Sequence, residues 1–381
     1  MRKRIELELL SPLMCGGVRV ADNFLESEPF IRGSVLRAAF ANKILLECPL
    51  ADHKGKNGEN NFIELKDPDG KCTDCPNRKI CAAFSEMSFS FAYPYGSMPA
   101  PFTVKACKTA GLYHRMQDTV FRNDSLKCPD CKYGLKRMES VKGLIRYNGT
   151  RYESVQLNRI LSTHTAIDYN THTAEEGNLF TVKAIPKGIV YSATIDDRDS
   201  GLIEQEKIIF VGKYSSCGFG KMKIQSVNEV IPVTPESISE NIRDFQDKLN
   251  APHKASLLFM SDAFLNLPVS RKVLSTEEYL ALWQKAVLGE NEQSIRVEKV
   301  FAETELYSGY NTSREWGCWK DEEPVRAVKK GTSILLDLVD EDRAVAVLTK
   351  MAEKGVGRRT PDGFGEVAVC HSVHRLGGYS E

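Results

Sequence analysis

The sequence predicts an α+β fold made of two similar units, the first of which carries a cysteine-rich insertion. Three observations support this prediction. Strand-like and helix-like segments alternate in both halves, each half closes with a Gly-Phe-Gly loop that leads into a β-rich segment, and six cysteines fall between residues 72 and 131. At 381 residues, the chain has the length of two to three domains of roughly 150 residues each.

The first half begins with a strand and a helix. Ile5, Leu7 and Leu9 alternate with glutamates, which is typical of a half-buried strand. Ser34 is the expected N-cap of a helix whose apolar face runs to Ile44. After residue 159, β-rich segments return as LFTVKAI, IVYSATI and IIFVG. Residues 48–160 hold polar, Gly- and Asn-rich stretches, and we expect an insertion stabilised by metal rather than by a large core.

We expect residues 1–235 to form the first domain and residues 236–381 the second. Ser237 and Ser275 each stand three residues before a glutamate and predict capping-box helix starts. The second half also contains two strand-like segments and one further helix-like segment. They read ASLLFMSDAFL, TSILLDLVD and DEDRAVAVLTKMAEKG, respectively. Their order fits a ferredoxin-like unit, and the first half follows the same order once the insertion is removed.

Charge and hydropathy exclude several classes of protein. Fifty-one basic residues balance 51 acidic ones, so any nucleic-acid site must be a local patch or form together with partner subunits. The sequence contains no apolar run of about 18 residues, so it predicts no transmembrane helix. Glutamates interrupt the N-terminal sequence MRKRIELELL, which excludes a secretory signal and makes the cytoplasm the expected compartment.

Two glycine loops are the first candidate ligand-binding elements. They read VGKYSSCGFGKMKI from residue 211 and GVGRRTPDGFGEVAV from residue 355. Glycines can bring bare backbone N–H groups close to a ligand, and neighbouring cations suit phosphate. The candidate residues are Gly212, Lys213, Gly218, Phe219, Gly220, Lys221, Lys223, Arg358, Arg359, Gly363 and Gly365. The alternative is that both loops are tight turns around a buried phenylalanine.

A helix start and a histidine-rich stretch are further candidates. Arg32 and Arg37 flank the helix start at Ser34, where free N–H groups favour an anion, although an amphipathic core helix explains the apolar face equally well. The stretch THTAIDYNTHTAEEGNLF contains His164, Asp168 and His172. These side chains could act in acid–base catalysis or form a structural turn, and we favour RNA contact because no fixed helical face groups them.

The clustered cysteines predict a metal site. CxxC pairs present two thiolates to one tetrahedral ion, and zinc is favoured over an iron–sulfur cluster because nothing else indicates electron transfer. The simplest ligand set is Cys72, Cys75, Cys128 and Cys131, with Cys81 and Cys107 as alternates. Two three-cysteine groups, each completed by a histidine or another cysteine, fit the spacing equally well. Isolated cysteines, including Cys15, Cys48, Cys217, Cys318 and Cys370, are expected to be packing residues.

Several of these segments resemble one family. IRGSVLRAAFANKIL resembles the G-S-x-L-R-G-A-x-R helix start of the RAMP superfamily of CRISPR proteins. FSFAYPYG, the cysteine pattern and HTAIDYNTHTAEEGNLF resemble one branch, the Csx-ten group, which is the Cas-five-like subunit of type III-D effector complexes. The double GFG loop completes the resemblance.

The resemblance implies a non-catalytic RNA-binding subunit. Such a subunit holds the repeat-derived 5′ tag of the CRISPR RNA (crRNA) and contacts the large polymerase-like subunit and the first backbone RAMP subunit. The loops and the helix start would then form one RNA surface, with tag bases stacked on exposed aromatic rings such as Phe219 or Tyr214. One alternative is a Cas-six-like endoribonuclease with a histidine base, and another is a zinc-ribbon assembly bridge without an RNA role.

Overall fold

The structure is a computed structural model. It describes residues 2–16, 18–21, 24–48, 50, 63, 65, 72–120, 127–131, 137–167, 171, 173–268, 273–307, 310–311, 320–321 and 323–376. The chain divides into two compact units. Unit 1 comprises Met1–Gly96, Gln156–Val230 and Tyr310–Glu322, and unit 2 comprises Ser97–Val155, Ile231–Gly309 and Glu323–Glu381.

Strands dominate the described residues. They are β1 (Arg2–Leu9), β2 (Val18–Ala21), β3 (Phe24–Glu26), β4 (Ser88–Phe89), β5 (Tyr93–Pro94), β6 (Ser97–Pro99), β7 (Val104–Cys107), β8 (Gln117–Asp118), β9 (Met138–Ser140), β10 (Leu144–Tyr147), β11 (Tyr152–Val155), β12 (Ile160–Ile167), β13 (Ala174–Ala184), β14 (Val190–Asp196), β15 (Ile208–Phe210), β16 (Lys221–Glu229), β17 (Lys254–Phe259), β18 (Ile295–Phe301), β19 (Thr304–Tyr307), β20 (Tyr310–Asn311), β21 (Lys320–Asp321), β22 (Val325–Val328), β23 (Ser333–Leu338) and β24 (Val367–Val369). The helices are α1 (Gly33–Leu46), α2 (Arg78–Ala83), α3 (Pro235–Leu249), α4 (Thr276–Val287), α5 (Glu341–Lys354) and α6 (Ser372–Leu376). The predicted α+β class is confirmed.

Unit 1 is organised around β1. Its sheet has the order β15-β16-β1-β14-β4, with β5 also paired to β14. β1 is antiparallel to both neighbours, and Ile5 lies opposite Ala193 on one side and Val227 on the other. The alternating Ile5, Leu7 and Leu9 belong to the same buried core as Phe40 of α1. The predicted strand and helix are therefore joined by burial of their apolar faces.

Unit 2 has the complete ferredoxin-like order. Its sheet runs β18-β23-β17-β24 with antiparallel pairing throughout, and α4 and α5 provide the two helical connections. Unit 1 uses the corresponding strand order, but the segment between β14 and β16, which is described throughout, contains β15 and a 3-10 turn instead of an α-helix. The two units are therefore variants of one plan.

One of the two predicted capping-box helix starts in unit 2 is confirmed, and the other is shifted. Ser275 caps α4, and Glu278 closes the reciprocal capping box. For α3 the predicted cap, Ser237, is one turn too late, because Thr234 is the N-cap and Ser237 is its capping-box partner. Pro235, which lacks an N–H donor, occupies the first turn, where that donor would have no partner in the helix.

Residues 48–160, the predicted insertion, are divided between the units. Ser97–Val155 groups with unit 2, where β6–β11 form small sheets. Their apolar residues, including Val104 and Ile145, pack in one cluster with Leu258 and Val373. None of the helices that the structure describes has both the length and the apolar character needed to span a lipid bilayer.

Candidate functional site: two equivalent glycine loops and a Cys/His cluster

The first glycine loop, residues 211–220, connects β15 to β16. Tyr214 and Gly218 adopt left-handed backbone conformations, with φ of 62° and 86°, on either side of one 3-10 turn. The Val211 N–H donates to the Gly220 carbonyl at 2.8 Å and closes the neck of the loop. A Cβ on Gly220 would lie 1.9 Å from the Val211 carbonyl oxygen, so only glycine fits at this point.

The first loop is seated on the segment that follows β1. The Lys213 N–H donates to the Met14 carbonyl at 2.8 Å, and the Gly220 N–H donates to the Pro12 carbonyl at 2.7 Å. The Lys221 N–H donates to the Ser11 hydroxyl oxygen at 2.9 Å. Residues 11–14 therefore fix the loop through backbone contacts and one serine side chain.

The second glycine loop, residues 356–365, repeats the same geometry between α5 and β24. Arg359 and Gly363 are left-handed, with φ of 60° and 80°, on either side of one 3-10 turn. The Val356 N–H donates to the Gly365 carbonyl at 2.8 Å. A Cβ on Gly365 would again lie 1.9 Å from the carbonyl oxygen at the neck.

The second loop is held by equivalent hydrogen bonds to the segment at residues 261–264. The Arg358 N–H donates to the Phe264 carbonyl at 3.1 Å, and the Gly365 N–H donates to the Asp262 carbonyl at 2.8 Å. The Glu366 N–H donates to the Ser261 hydroxyl oxygen at 2.9 Å. VGKYSSCGFG and VGRRTPDGFG are thus equivalent over ten positions, and SPLM at residues 11–14 corresponds to SDAF at residues 261–264.

The phenylalanines of both loops face inward. Phe219 is 5% exposed and Phe364 is 1% exposed. Phe219 packs with Met14 and Val182 under the first loop. The expectation that bases stack on an exposed Phe219 is therefore wrong, because its ring forms the core of the loop, as the tight-turn alternative requires.

The histidine-rich stretch lies beside the first loop. β12 and β13 form an antiparallel hairpin in which His164 is opposite Phe180. The His164 ring is nearly parallel to the rings of Phe180 and Tyr214, with centroids 5.3 and 6.4 Å away. Its Nε2 lies 2.9 Å from the Ser162 hydroxyl oxygen. The recorded neighbours are thus aromatic rings and a hydroxyl, whereas Asp168 and His172 lie outside the described residues.

The predicted cations differ in their surroundings. Lys213 and Arg358 occupy equivalent positions and are both exposed. Lys223 pairs with Glu206 at 3.3 Å and Glu8 at 4.0 Å. Lys221 is partly exposed at the start of β16. The positions most open to a ligand are therefore Lys213 and Arg358.

Arg359 is held within its own loop. It pairs with Asp362 at 3.2 Å. Its guanidinium group also lies over the rings of Phe264 and Phe364, 5.8 and 5.4 Å from their centroids. These contacts give Arg359 a structural task in the loop.

The predicted helix-start site is largely occupied by structural contacts. α1 begins at Gly33 with Arg32 as N-cap, so Ser34 lies inside the helix and is not the cap. Arg32 pairs with Glu28 at 3.5 Å. Arg37 donates to the Phe84 and Met87 carbonyls at 2.9 and 3.3 Å and ties α1 to that segment.

The sequence of the first unit matches a known protein family. A sequence profile of the RAMP superfamily matches residues 6–223, from β1 into β16, and includes the whole first glycine loop. The chain belongs to the RAMP superfamily. Among curated proteins, no relative matches this RAMP protein.

Two solved structures resemble this RAMP protein at low identity. One chain is in the cryo-EM structure of the Type III-B Cmr-beta bound to cognate target RNA and AMPPnP, and it is 13% identical, with 87% of this chain and 86% of that chain covered and a TM-score of 0.44. The CRISPR associated protein Cas6 is 11% identical, with 97% of this chain and 98% of that chain covered and a TM-score of 0.33. Family membership therefore rests on the sequence profile.

A Cys/His cluster in unit 2 of the RAMP protein has the donors of a metal site. The donor atoms of Cys107, His114, Cys128 and Cys131 all lie within 4.8 Å of one another. Cys107 Sγ and Cys131 Sγ are 3.6 Å apart, and His114 Nδ1 is 3.3 Å from Cys128 Sγ. Ligands about 2.0–2.3 Å from one tetrahedral ion stand about 3.3–3.8 Å apart, so the set fits one zinc-sized ion.

Electrostatics favour thiolate at one corner of this cluster. The backbone N–H of Ala110, followed by that of Thr109, lowers the pKa of Cys107 to about 6. The turn is held by the Gly111 N–H, which donates to the Cys107 carbonyl at 2.7 Å. A preformed thiolate suits metal binding because the thiolate is the form that coordinates.

The observed cluster corrects the simplest predicted ligand set. Cys128 and Cys131 are joined by Cys107 and His114, whereas Cys72 and Cys75 belong to the other unit. This outcome matches the alternative of a three-cysteine group completed by a histidine. His114 was missed as a named ligand, although its position between Cys107 and the CxxC pair was available in the sequence.

Proposed function

We propose that this RAMP protein is a non-catalytic RNA-binding subunit of a type III CRISPR effector complex, of the III-D type. In this proposal it holds the repeat-derived 5′ tag of the crRNA. The supporting observation is the repeated glycine loop, which carries an exposed cation at Lys213 in unit 1 and at Arg358 in unit 2. RAMP membership supports the RNA-binding assignment.

The chemistry of each loop suits a phosphate backbone. Lys213 donates its N–H to the Met14 carbonyl, and Arg358 donates its N–H to the Phe264 carbonyl. These hydrogen bonds fix the backbone from which each charged side chain extends. A fixed, exposed cation contacts phosphate without reading sequence. Tyr214 and His164 are only partly buried, so they replace Phe219 as the rings available to a base.

The partner assignments are part of the same proposal. We assign the large polymerase-like subunit and the backbone RAMP subunits as protein partners, because the sequence resembles the Cas-five-like group that bridges them. The balance of 51 basic and 51 acidic residues supports a subunit that binds RNA through local patches inside an assembly.

The test is a charge-removal pair with a matched control. Lys213→Ala combined with Arg358→Ala is expected to weaken binding of tag RNA and to reduce the slope of log K against log salt by about 1.4, because two single-strand phosphate contacts are lost. The control is Lys223→Ala with Lys254→Ala, which removes the same charge but targets lysines already paired with carboxylates. An unchanged slope in the first pair, with circular dichroism unchanged in both, contradicts the loop assignment.

The non-catalytic assignment has a separate test. The purified protein is incubated with repeat RNA, with and without divalent metal. We expect no specific cleavage product. Specific cleavage that is lost in His164→Ala would instead establish the Cas-six-like endoribonuclease.

We also propose that Cys107, His114, Cys128 and Cys131 bind zinc. Their close spacing favours a single ion, since a cluster of several irons would stand between the ligands and hold them further apart. Elemental analysis is expected to find zinc that His114→Ala weakens and Cys128→Ser removes from this site. Iron in place of zinc would overturn the assignment.

A further inference from the structure

The segment of unit 2 that carries the Cys/His cluster is strongly basic. Residues 97–155 contain eleven basic and five acidic residues, a net charge of +6, whereas the whole chain has 51 of each. Two of the five carboxylates, Asp130 and Glu153, are already paired with arginines of the same segment. Because the rest of the chain does not share this excess, the positive charge indicates a local surface for an anionic partner.

Three of these cations stand side by side. Lys127 and Arg137 form an antiparallel bridge, so they lie directly opposite each other. The Lys108 N–H donates to the Arg137 carbonyl at 3.0 Å, which places Lys108 beside the same arginine. All three residues are exposed, and among the described residues none of them has an ion pair with a carboxylate. Like charges at such short range destabilise a ladder, and a bound anion relieves their repulsion.

The Cys/His cluster fixes the backbone of two of the three cations. Lys108 directly follows Cys107, and Lys127 directly precedes Cys128. Both cysteines contribute donor atoms to the cluster. The turns that hold the cluster therefore also hold the row of cations in place.

An exposed aromatic ring lies at the same cluster. Tyr113, which precedes His114, is 80% exposed. The guanidinium carbon of Arg151 lies over its ring, 4.8 Å from the centroid. The Arg151 N–H donates to the side-chain oxygen of Asn148 at 3.0 Å, which fixes Arg151 in the turn of the β10–β11 hairpin. An exposed ring supported by a guanidinium group is suited to stacking on an unpaired base.

We propose that this surface binds a single-stranded nucleic acid. Lys108, Lys127 and Arg137 contact its phosphates, and Tyr113 stacks on one of its bases. An acidic protein would satisfy the three cations as well, but it would give the exposed ring no role, so the ring favours nucleic acid. The surface is separate in sequence from both glycine loops, and the proposal does not depend on their assignment to the crRNA tag.

The first test measures how the affinity of the full-length protein for oligouridine depends on salt. Replacing Lys108, Lys127 and Arg137 together with alanine is expected to weaken binding and to reduce the slope of log K against log salt by about 2, because three single-strand phosphate contacts are lost. The same reduction is expected when Lys213→Ala and Arg358→Ala are already present, so the result is independent of the glycine loops.

A matched control removes the same charge from exposed positions elsewhere in the chain. It combines Lys187→Ala, Arg243→Ala and Lys350→Ala and is expected to leave the slope unchanged. The test variant removes a repulsion, so its circular dichroism is expected to match that of wild type. An unchanged slope in the test variant, or an equal reduction in the control, would overturn the proposal.

The second test concerns the ring. Tyr113→Ser is expected to weaken oligouridine binding about 5- to 140-fold without changing the salt slope, and to leave the binding of an RNA duplex unchanged. Tyr95→Ser, which changes an exposed tyrosine of unit 1, is the control and is expected to have no effect. Oligodeoxyuridine of the same length shows whether the surface takes RNA, DNA or both. An equal loss of duplex binding in Tyr113→Ser contradicts base stacking.

A third test uses unmodified protein. Ultraviolet crosslinking to oligouridine, mapped by mass spectrometry, is expected to label the peptide that contains Tyr113, and the absence of that crosslink contradicts the proposal. Polyglutamate serves as the competing probe. Binding of polyglutamate that the three alanines abolish, with oligouridine binding unchanged, would overturn the nucleic-acid assignment and identify an acidic protein as the partner.

Discussion

Gly218 and Gly220 provide a matched pair for testing the closure of the first glycine loop. Both have positive φ, at 86° and 73°. A Cβ on Gly218 would meet nothing within 4 Å, whereas a Cβ on Gly220 would lie 1.9 Å from the Val211 carbonyl oxygen. Alanine at either position bears the cost of the left-handed conformation, but only Gly220→Ala must also displace backbone.

The expected costs follow from this difference. A left-handed non-glycine residue costs about 1–2 kcal/mol, which is the whole expected effect of Gly218→Ala. Gly220→Ala also disturbs the closing bond to Val211 and the bond from the Gly220 N–H to the Pro12 carbonyl, 2.8 and 2.7 Å long. Leaving such buried groups unsatisfied costs about 1–3 kcal/mol each, so we expect a total of about 3–8 kcal/mol.

Amide hydrogen exchange measured by mass spectrometry reports this local opening. In peptides from residues 208–224, Gly220→Ala is expected to accelerate exchange about 100-fold or more, and Gly218→Ala about 5- to 30-fold. The second loop, residues 356–365, is the internal reference and should not change. Equal acceleration by the two substitutions would refute the argument from backbone overlap.

Three further outcomes are expected. Arg37→Lys should lower the free energy of unfolding of unit 1 by about 1–3 kcal/mol, because an ammonium cannot reproduce the guanidinium contacts to two separate carbonyls. Urea titration measures this loss. An unchanged midpoint would contradict the conclusion that Arg37 ties α1 to the Phe84 and Met87 carbonyls. His164→Ala should remove about 0.5–1.5 kcal/mol of aromatic packing, seen as a small drop in melting temperature, and a larger loss would show that the ring supports more than the loop. In chelated protein, Cys107 should remain thiolate to a lower pH than an ordinary thiol, because the backbone N–H of Ala110 lowers its pKa; the thiolate absorbance that wild type has and Cys107→Ser lacks measures this. Loss of that absorbance near pH 8.5, roughly the ordinary range of a thiol, would show that the backbone N–H groups do not act on Cys107.

Local patterns were sufficient for β1, β13, β14, β15, β17 and β23, for most helices and for the glycine loops. The alternation of Ile5, Leu7 and Leu9 correctly predicts β1, because one face of a sheet must be buried. The repeat of Gly-Phe-Gly correctly marks the two loops. The burial of Phe219 was misjudged, because a turn sequence does not show which side of the loop is covered by other segments.

Contacts between distant segments could not be predicted from the sequence alone. Ser11 accepts its hydrogen bond from a residue 210 positions later, and Ser261 from one 105 positions later. No periodicity encodes such a pairing, although the matching SPLM and SDAF segments become visible once the loops are aligned. His114 likewise joins Cys128 and Cys131 through the fold of the chain rather than through a fixed spacing.

The central place of β1 has a consequence for synthesis of the chain. Within the described residues β1 pairs with β14 and β16, so β1 must wait until about 185 further residues have been made before a partner strand is present. At roughly 5–20 residues per second, that delay is on the order of 10–40 seconds on the ribosome. Arg2, Lys3, Arg4, Glu6 and Glu8 place charge along the strand. Such gatekeeper charges hinder pairing between nascent chains, so the same strand that completes the sheet remains soluble until its neighbours emerge.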